Sequence, residues 1–317
     1  MLEWSRDLLG INDSDNFGRA RMFQFLTDPP AQAVPPDDFD PQVMSPEVLD
    51  LRRVLCIVGT NARDYEVAQG ASRWAVGPQS DGLVQIDRAW ITGAHLAYIH
   101  RSHSGRFGIV NSEEGYQNLR RFLFGDVMIE AVLKDFTLPF YDVSYELQNA
   151  FHIEIEIAVR SLPMLLHQQT LGHLCPVTLN RERFRRTDAA GGLRLFTNFL
   201  LDCKKPGETE IFSFHLALHQ QDYQRGRPVI KGHVERLPLW SDYLIVEIKR
   251  EPADSNLTYT ARYNWASEDR NPTIDLSLLI SEDKKHAVGD IPLPSKARST
   301  SIFGAKARIH VDTQDWE

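Results

Sequence analysis

The 317-residue chain carries 35 Lys and Arg against 43 Asp and Glu, a formal net charge of −8, with 42% hydrophobic and 25% charged residues. That balance belongs to a soluble globular protein and excludes a disordered, collagen-like or disulfide-framework chain. Nucleic acid is a poor partner for it, because phosphate contacts need clustered Lys and Arg. Roughly 150 residues per domain predicts about two domains.

The amino terminus, Met1-Leu2-Glu3-Trp4-Ser5-Arg6-Asp7, has an acidic third residue and no apolar run behind it, unlike a signal peptide. No apolar run approaches the roughly 18 residues of a membrane span. A cytoplasmic protein is therefore expected. Cys56, Cys175 and Cys203 are read as small buried apolar residues rather than ligands or nucleophiles.

Residues 1–50 are punctuated by Pro29-Pro30, Pro35-Pro36, Pro41 and Pro46, with Asp37, Asp38 and Asp40 between them. They read as an irregular excursion, an insertion or lid. Val54-Leu55-Cys56-Ile57-Val58-Gly59 is continuously apolar and suits a strand buried on both faces of a parallel sheet. His95-Leu96-Ala97-Tyr98-Ile99-His100 is a second strand. A helix follows, with Asn111 as N-cap, Glu114 three residues on, Tyr116, Leu119, Phe122 and Leu123 on one face, and Gly125 as its stop. This order fits the end of an α/β domain.

Beyond Gly125 the period becomes two. Phe151-His152-Ile153-Glu154-Ile155-Glu156-Ile157 alternates strictly. Further strands are predicted at 127–136, 193–203, 210–219, 243–250, 257–264, 273–280 and 306–312. Pro206-Gly207, Arg225-Gly226-Arg227-Pro228 and Asn271-Pro272 supply turns. Eight or so short strands predict an antiparallel β-sandwich. All nine lysines lie from Lys134 onward, which agrees with a change of domain. The predicted architecture is thus α/β plus all-β. Residues 1–125 form a partial α/β domain, and 126–317 a β-sandwich accessory domain.

The chemistry concentrates between Gly59 and Asp126. Ser80-Asp81-Gly82-Leu83-Val84 places an acid on a loop. His100-Arg101-Ser102-His103-Ser104-Gly105 places a base 22 positions later, between a strand and a helix. An imidazole can take a proton from an attacking serine, while a carboxylate on its other nitrogen fixes the tautomer and stabilises the imidazolium. Acid before base is the order found when Ser, Asp and His follow one another along a chain.

These two runs, with Gly108-Ile109-Val110-Asn111-Ser112-Glu113-Glu114-Gly115-Tyr116-Gln117-Asn118-Leu119 behind them, resemble the acid motif, His loop and last helix of bacterial esterase/lipase-like α/β-hydrolases. The resemblance spans roughly residues 50–126. It implies the carboxy-terminal portion of an α/β-hydrolase sheet, with Asp81 as orienting acid and His103 as general base for hydrolysis of a carboxylic, lipid-like ester. It implies no cofactor and no metal. The family's Gly-x-Ser-x-Gly elbow occurs nowhere here. The nearest run, Gly70-Ala71-Ser72-Arg73-Trp74, lacks the second glycine. The chain accordingly reads as a truncated hydrolase whose amino-terminal half, with the nucleophile, is missing, and alone it should not catalyse by the usual triad. Peripheral membrane contact through the sandwich fits a lipid-like substrate.

Competing readings accompany these. Asp81 also suits a plain Asp-Gly turn. His100 competes with His103, and Asp64 and Asp87 are fallback acids. His95 and His100 are an odd number apart, so on one strand they oppose each other rather than share a metal. Ser102 and Ser104 read as loop hydrogen-bonders, and Glu113 and Glu114 as first-turn helix charges. His215 and His219 share a strand face as a surface or satisfied pair. Arg181, Arg183, Arg185 and Arg186 read as a solvated loop, and Trp240, Tyr243, Tyr259, Tyr263 and Trp265 as packing residues. The alternative function is a non-catalytic binding or interaction module with a degenerate hydrolase half.

Overall fold

The computed structural model describes residues 19–30, 33–45, 47–65, 76–140, 147–201, 209–224, 227–228, 237–250, 259–268, 274–282 and 285–316. Cys203, Gly70–Trp74 and the turns at 206–207, 225–226 and 271–272 lie outside them. Contacts group the chain into two units, Met1–Ala97 with Arg101–Asn111, and Tyr98–His100 with Ser112–Glu317.

In the first unit, α1 (Arg19–Thr27) interrupts the predicted irregular excursion. β1 (Leu55–Gly59) pairs with β2 (His95–Ile99). The His95 amide bonds Val54 O at one end and the Asn61 amide bonds Arg101 O at the other, so the two strands run in the same direction.

The predicted α/β-hydrolase sheet ends there. Among the described residues β1 and β2 form a two-stranded sheet with no further neighbour, and every other paired strand is antiparallel. A buried parallel sheet needs flanking strands and helices on both faces. Leu55, Cys56 and Ile57 are only half-buried. The helix after β2, α2 (Glu113–Phe124), is tied to the β-rich unit instead. The fold is mostly β, and the α/β part of the expectation is wrong.

The second unit contains two antiparallel sheets. The smaller has the order β13-β14-β15-β3-β7, from Leu279–Ile280, His286–Pro292, Arg308–Asp315, Val127–Lys134 and Leu193–Leu200. The larger has the order β12-β11-β10-β8-β4-β5, from Ile274–Leu276, Tyr259–Trp265, Trp240–Arg250, Thr209–Gln224, Leu147–Val159 and Leu165–Gln169. Short β6 (Val177–Leu179) and β9 (Arg227–Pro228) pair with β4 and β8.

Period two decides which face is which. Phe151, Ile153, Ile155 and Ile157 of β4 and Phe212, Phe214, Leu216 and Leu218 of β8 share one core with Val127, Ile129, Ala131 and Leu133 of β3 and Ile309 and Val311 of β15. Burying each large side chain contributes about 1.5–3 kcal/mol. Trp265 donates from Nε1 to Pro292 O at 3.0 Å, joining β11 to β14.

Three local expectations change. Ser112, not Asn111, caps α2, its Oγ accepting from the Gly115 amide at 3.0 Å; Asn111 is engaged instead by Gly105 O. The helix also turns most of its predicted apolar face outward, only Phe122 of that face packing inward, against Phe199 and Trp316. Tyr116, Leu119, Leu123 and Phe124 are exposed, whereas Gln117 and Arg121 are buried. Arg121 donates to Glu210 Oε1 at 2.8 Å and Phe199 O at 3.1 Å, reaching both sheets. Asn118 donates to Leu166 O. The basic run after Asn180 is a helix, α3 (Arg181–Ala189), whose Asn180 side chain accepts from the Arg183 amide. No helix among the described residues is long and apolar enough to cross a membrane.

Candidate active site

Asp81 and His103 meet. Asp81 Oδ2 lies 2.9 Å from His103 Nδ1, although the residues are 22 positions apart. The backbone repeats the link, the His103 amide donating to Asp81 O at 2.8 Å.

Local sequence builds each half. Asp81 Oδ1 accepts from the Leu83 and Val84 amides at 3.0 and 2.7 Å, while Ser80 Oγ accepts from the Gly82 amide. Asp and Ser side chains favour such turns. Gly82 has φ +101°, and a Cβ there would come within 2.2 Å of the Tyr65 side chain, so glycine is needed for both reasons. The His103 loop is closed by Ser102 N to Phe107 O and Ile109 N to Ser102 O. At the end of β1, a Cβ on Gly59 would lie 2.6 Å from Arg101 O and 2.8 Å from Asp81 Cβ. That absence of a side chain lets the acid and base loops approach.

The environment is asymmetric. The Asp81 side chain is 5% exposed and the His103 side chain 34%. Tyr65 meets the imidazole edge-on with centroids 6.0 Å apart. The hydrogen bond to Asp81 raises the His103 pKa above its ordinary value; burial pulls down, and the Asp81 charge adds to the rise. His103 Nε2 takes no hydrogen bond from the described residues, so with Nδ1–H held by Asp81 it is the nitrogen left to accept a proton.

The competitors go elsewhere. His100 stacks on His173 at 3.7 Å. His95 Nε2 lies 3.2 Å from Arg52 O. Asp64 accepts from Asn61 Nδ2, and Asp87 is exposed in a short 3₁₀ turn. Ser102 is fully buried and donates to Ser104 O. Among the described residues no three His, Cys, Asp or Glu side chains converge as a metal site.

A second carboxylate–imidazole array escaped sequence reasoning. His215 Nδ1 lies 3.1 Å from Glu156 Oε2, and its Nε2 lies 2.7 Å from Ser241 Oγ. His215 and Glu156 face each other across the β4–β8 ladder. Parity put His215 and Glu156 on polar strand faces, but only the register joins them. Searches against family models, curated proteins and solved structures found no match.

Proposed function

We propose that Asp81 and His103 are the acid and base of a serine ester hydrolase acting on carboxylic, lipid-like esters. The 2.9 Å bond between Asp81 Oδ2 and His103 Nδ1 carries this reading. It supports the Nδ1–H tautomer, which leaves Nε2 to remove a serine proton during attack on the ester carbonyl. The same proton then goes to the departing alcohol, and a water attacks the acyl-enzyme by the reverse path. The raised pKa of His103 suits it to holding that proton between the two steps. These 317 residues contain no Gly-x-Ser-x-Gly, so this reading requires its serine to be supplied from elsewhere.

The test extends the reading frame upstream of Met1 and assays the extended protein on long-chain alkyl esters. Activity should require an in-frame Gly-x-Ser-x-Gly and should vanish in His103→Ala and Asp81→Asn. Undiminished hydrolysis by His103→Ala would overturn the reading.

A second reading, a binding module without catalysis, is favoured by the exposed stripe Tyr116, Leu119, Leu123 and Phe124 on α2, since exposed apolar surface of this kind marks contact sites. It expects the binding of a partner to be lost in Leu119→Asp and kept in His103→Ala.

A further inference from the structure

The outer face of the larger sheet carries a complete proton relay. Its core side is fixed by Phe212, Phe214, Leu216 and Leu218 of β8 and by Leu244, Val246 and Ile248 of β10. Alternation therefore turns His215, Ser241, Tyr243 and Ile245 outward. Glu156 on β4 lies opposite His215, and Tyr243 on β10 lies opposite it on the other side. Ser241, two residues before Tyr243, reaches His215 along the diagonal.

The bonds run in one line. Glu156 Oε2 accepts from His215 Nδ1–H, and Nε2 then accepts from the Ser241 hydroxyl. The bond from His215 holds the Glu156 carboxyl below its ordinary pKa; burial opposes this, and a bond from Gln168 assists it. Tyr243 stacks on the imidazole with centroids 4.6 Å apart, which fixes the ring plane. His215 and Glu156 are mostly covered, at 14% and 26% exposure, whereas Ser241 is exposed.

We propose that Ser241 is a nucleophile activated by His215 and Glu156, and that it accepts acyl groups from aryl esters. Ser241 Oγ attacks the ester carbonyl as its proton moves to His215 Nε2. The C–O bond to the phenol breaks, and the phenol leaves with that proton. Water attacks the acyl-serine, its proton passing through His215 to Ser241 Oγ, so that ester and water become carboxylic acid and phenol. Glu156 touches no reacting atom and is a positioning residue. The substrate class follows from the surroundings. Strand amides are directed along the ladder rather than toward a sheet face, so the oxyanion lacks paired backbone donors and a good leaving group is required. Tyr243 and Ile245, 51% and 36% exposed, offer an apolar shelf beside Ser241 for the aryl ring. This centre does not depend on the Asp81–His103 reading, and it runs against the expectation that the chain alone is inert.

The test treats the intact chain with a fluorophosphonate and with p-nitrophenyl acetate, and maps adducts by mass spectrometry. One adduct on Ser241 is expected, absent in Ser241→Ala and retained in Ser213→Ala. His215→Gln should slow acylation about 10²-fold or more, with its fold checked by thermal melting. Glu156→Gln should shift the pH profile of acylation, which a merely structural role would not do. No adduct, an adduct elsewhere, or equal rates in wild type and folded His215→Gln would each overturn the proposal.

Discussion

Asp81–His103 and Glu156–His215 are the same chemical pair built in two ways. The first is held by loops. Its carboxylate is anchored by two amides of its own turn, and its imidazole reaches it only because Gly59 and Gly82 permit the approach. The second is held by strands, with its partners opposite one another in the β4–β8 ladder. Loops leave the outer nitrogen of His103 accessible beside Tyr65, with about a third of the side chain exposed. Strands deliver the outer nitrogen of His215 to a serine on an open sheet face. Loop construction buries the carboxylate, leaves the imidazole more exposed and depends on glycines; strand construction covers the imidazole and depends on register.

The largest effect separates the two pairs by chemistry. In the serine-supplemented protein, Asp81→Asn should lower ester turnover by about 10⁴-fold, since it disfavours the required tautomer. Steady-state assays should show Glu156→Gln leaving that turnover within about twofold, and a large loss there would erase the distinction. Next comes the charge that ties α2 to the sandwich. Arg121→Ala removes the guanidinium from beside the largely covered Glu210 carboxylate and should cost about 3–5 kcal/mol in urea unfolding.

Smaller again is the dependence of the acid turn on glycine. Gly82→Ala forces a positive φ and a clash with Tyr65. It should cost about 1–3 kcal/mol and return the His103 titration, followed by NMR, toward that of a free imidazole. Ser213→Ala on the sheet should change neither.

The smallest effect is the pH dependence of stability, and it has opposite signs. His103 is raised, so its pairing contributes fully below the ordinary imidazole value of 6.5 and fades as pH rises through the higher folded value. Glu156 is lowered, so its pairing contributes fully above the ordinary carboxylate value of 4.5 and fades as pH falls through the lower folded value. Asp81→Asn should therefore reduce the melting temperature more at about pH 5.5 than at about pH 9. Glu156→Gln should reduce it at about pH 6 and not at about pH 2.5. Solvent screening keeps each contribution under about 1 kcal/mol.

The sequence made the strands legible wherever one face was apolar. Alternation at 151–157 and in the runs near 127, 193, 210, 243 and 306 all correspond to strands. β14 was missed because Gly289 and Asp290 interrupt its pattern, and both residues are poor strand formers. β5 and β6 are too short to show a period. Asp81 and His103 were legible because Asp-Gly and His-Ser-Gly are loop motifs whose chemistry requires a partner. The continuous apolar run at 54–59 misled, since periodicity shows that a strand is apolar on both faces but not what covers them. His215 and Ser241 stayed hidden because their union depends on which strands pair and in what register, and no local pattern encodes that.

The reversed helix α2 has a further consequence. Its inward side joins the Arg121 guanidinium and the Asn118 amide, bonded to Glu210, Phe199 O and Leu166 O, to the Phe122 ring packed on Phe199 and Trp316, so the grip on the sandwich is directional as well as apolar. Directional bonds restrict rotation about the helix axis more than apolar packing alone would. The outward ridge of Tyr116, Leu119 and Leu123 is thereby presented in one fixed pose, like type set in a forme. Replacing Arg121 and Glu210 together with apolar residues would release that pose.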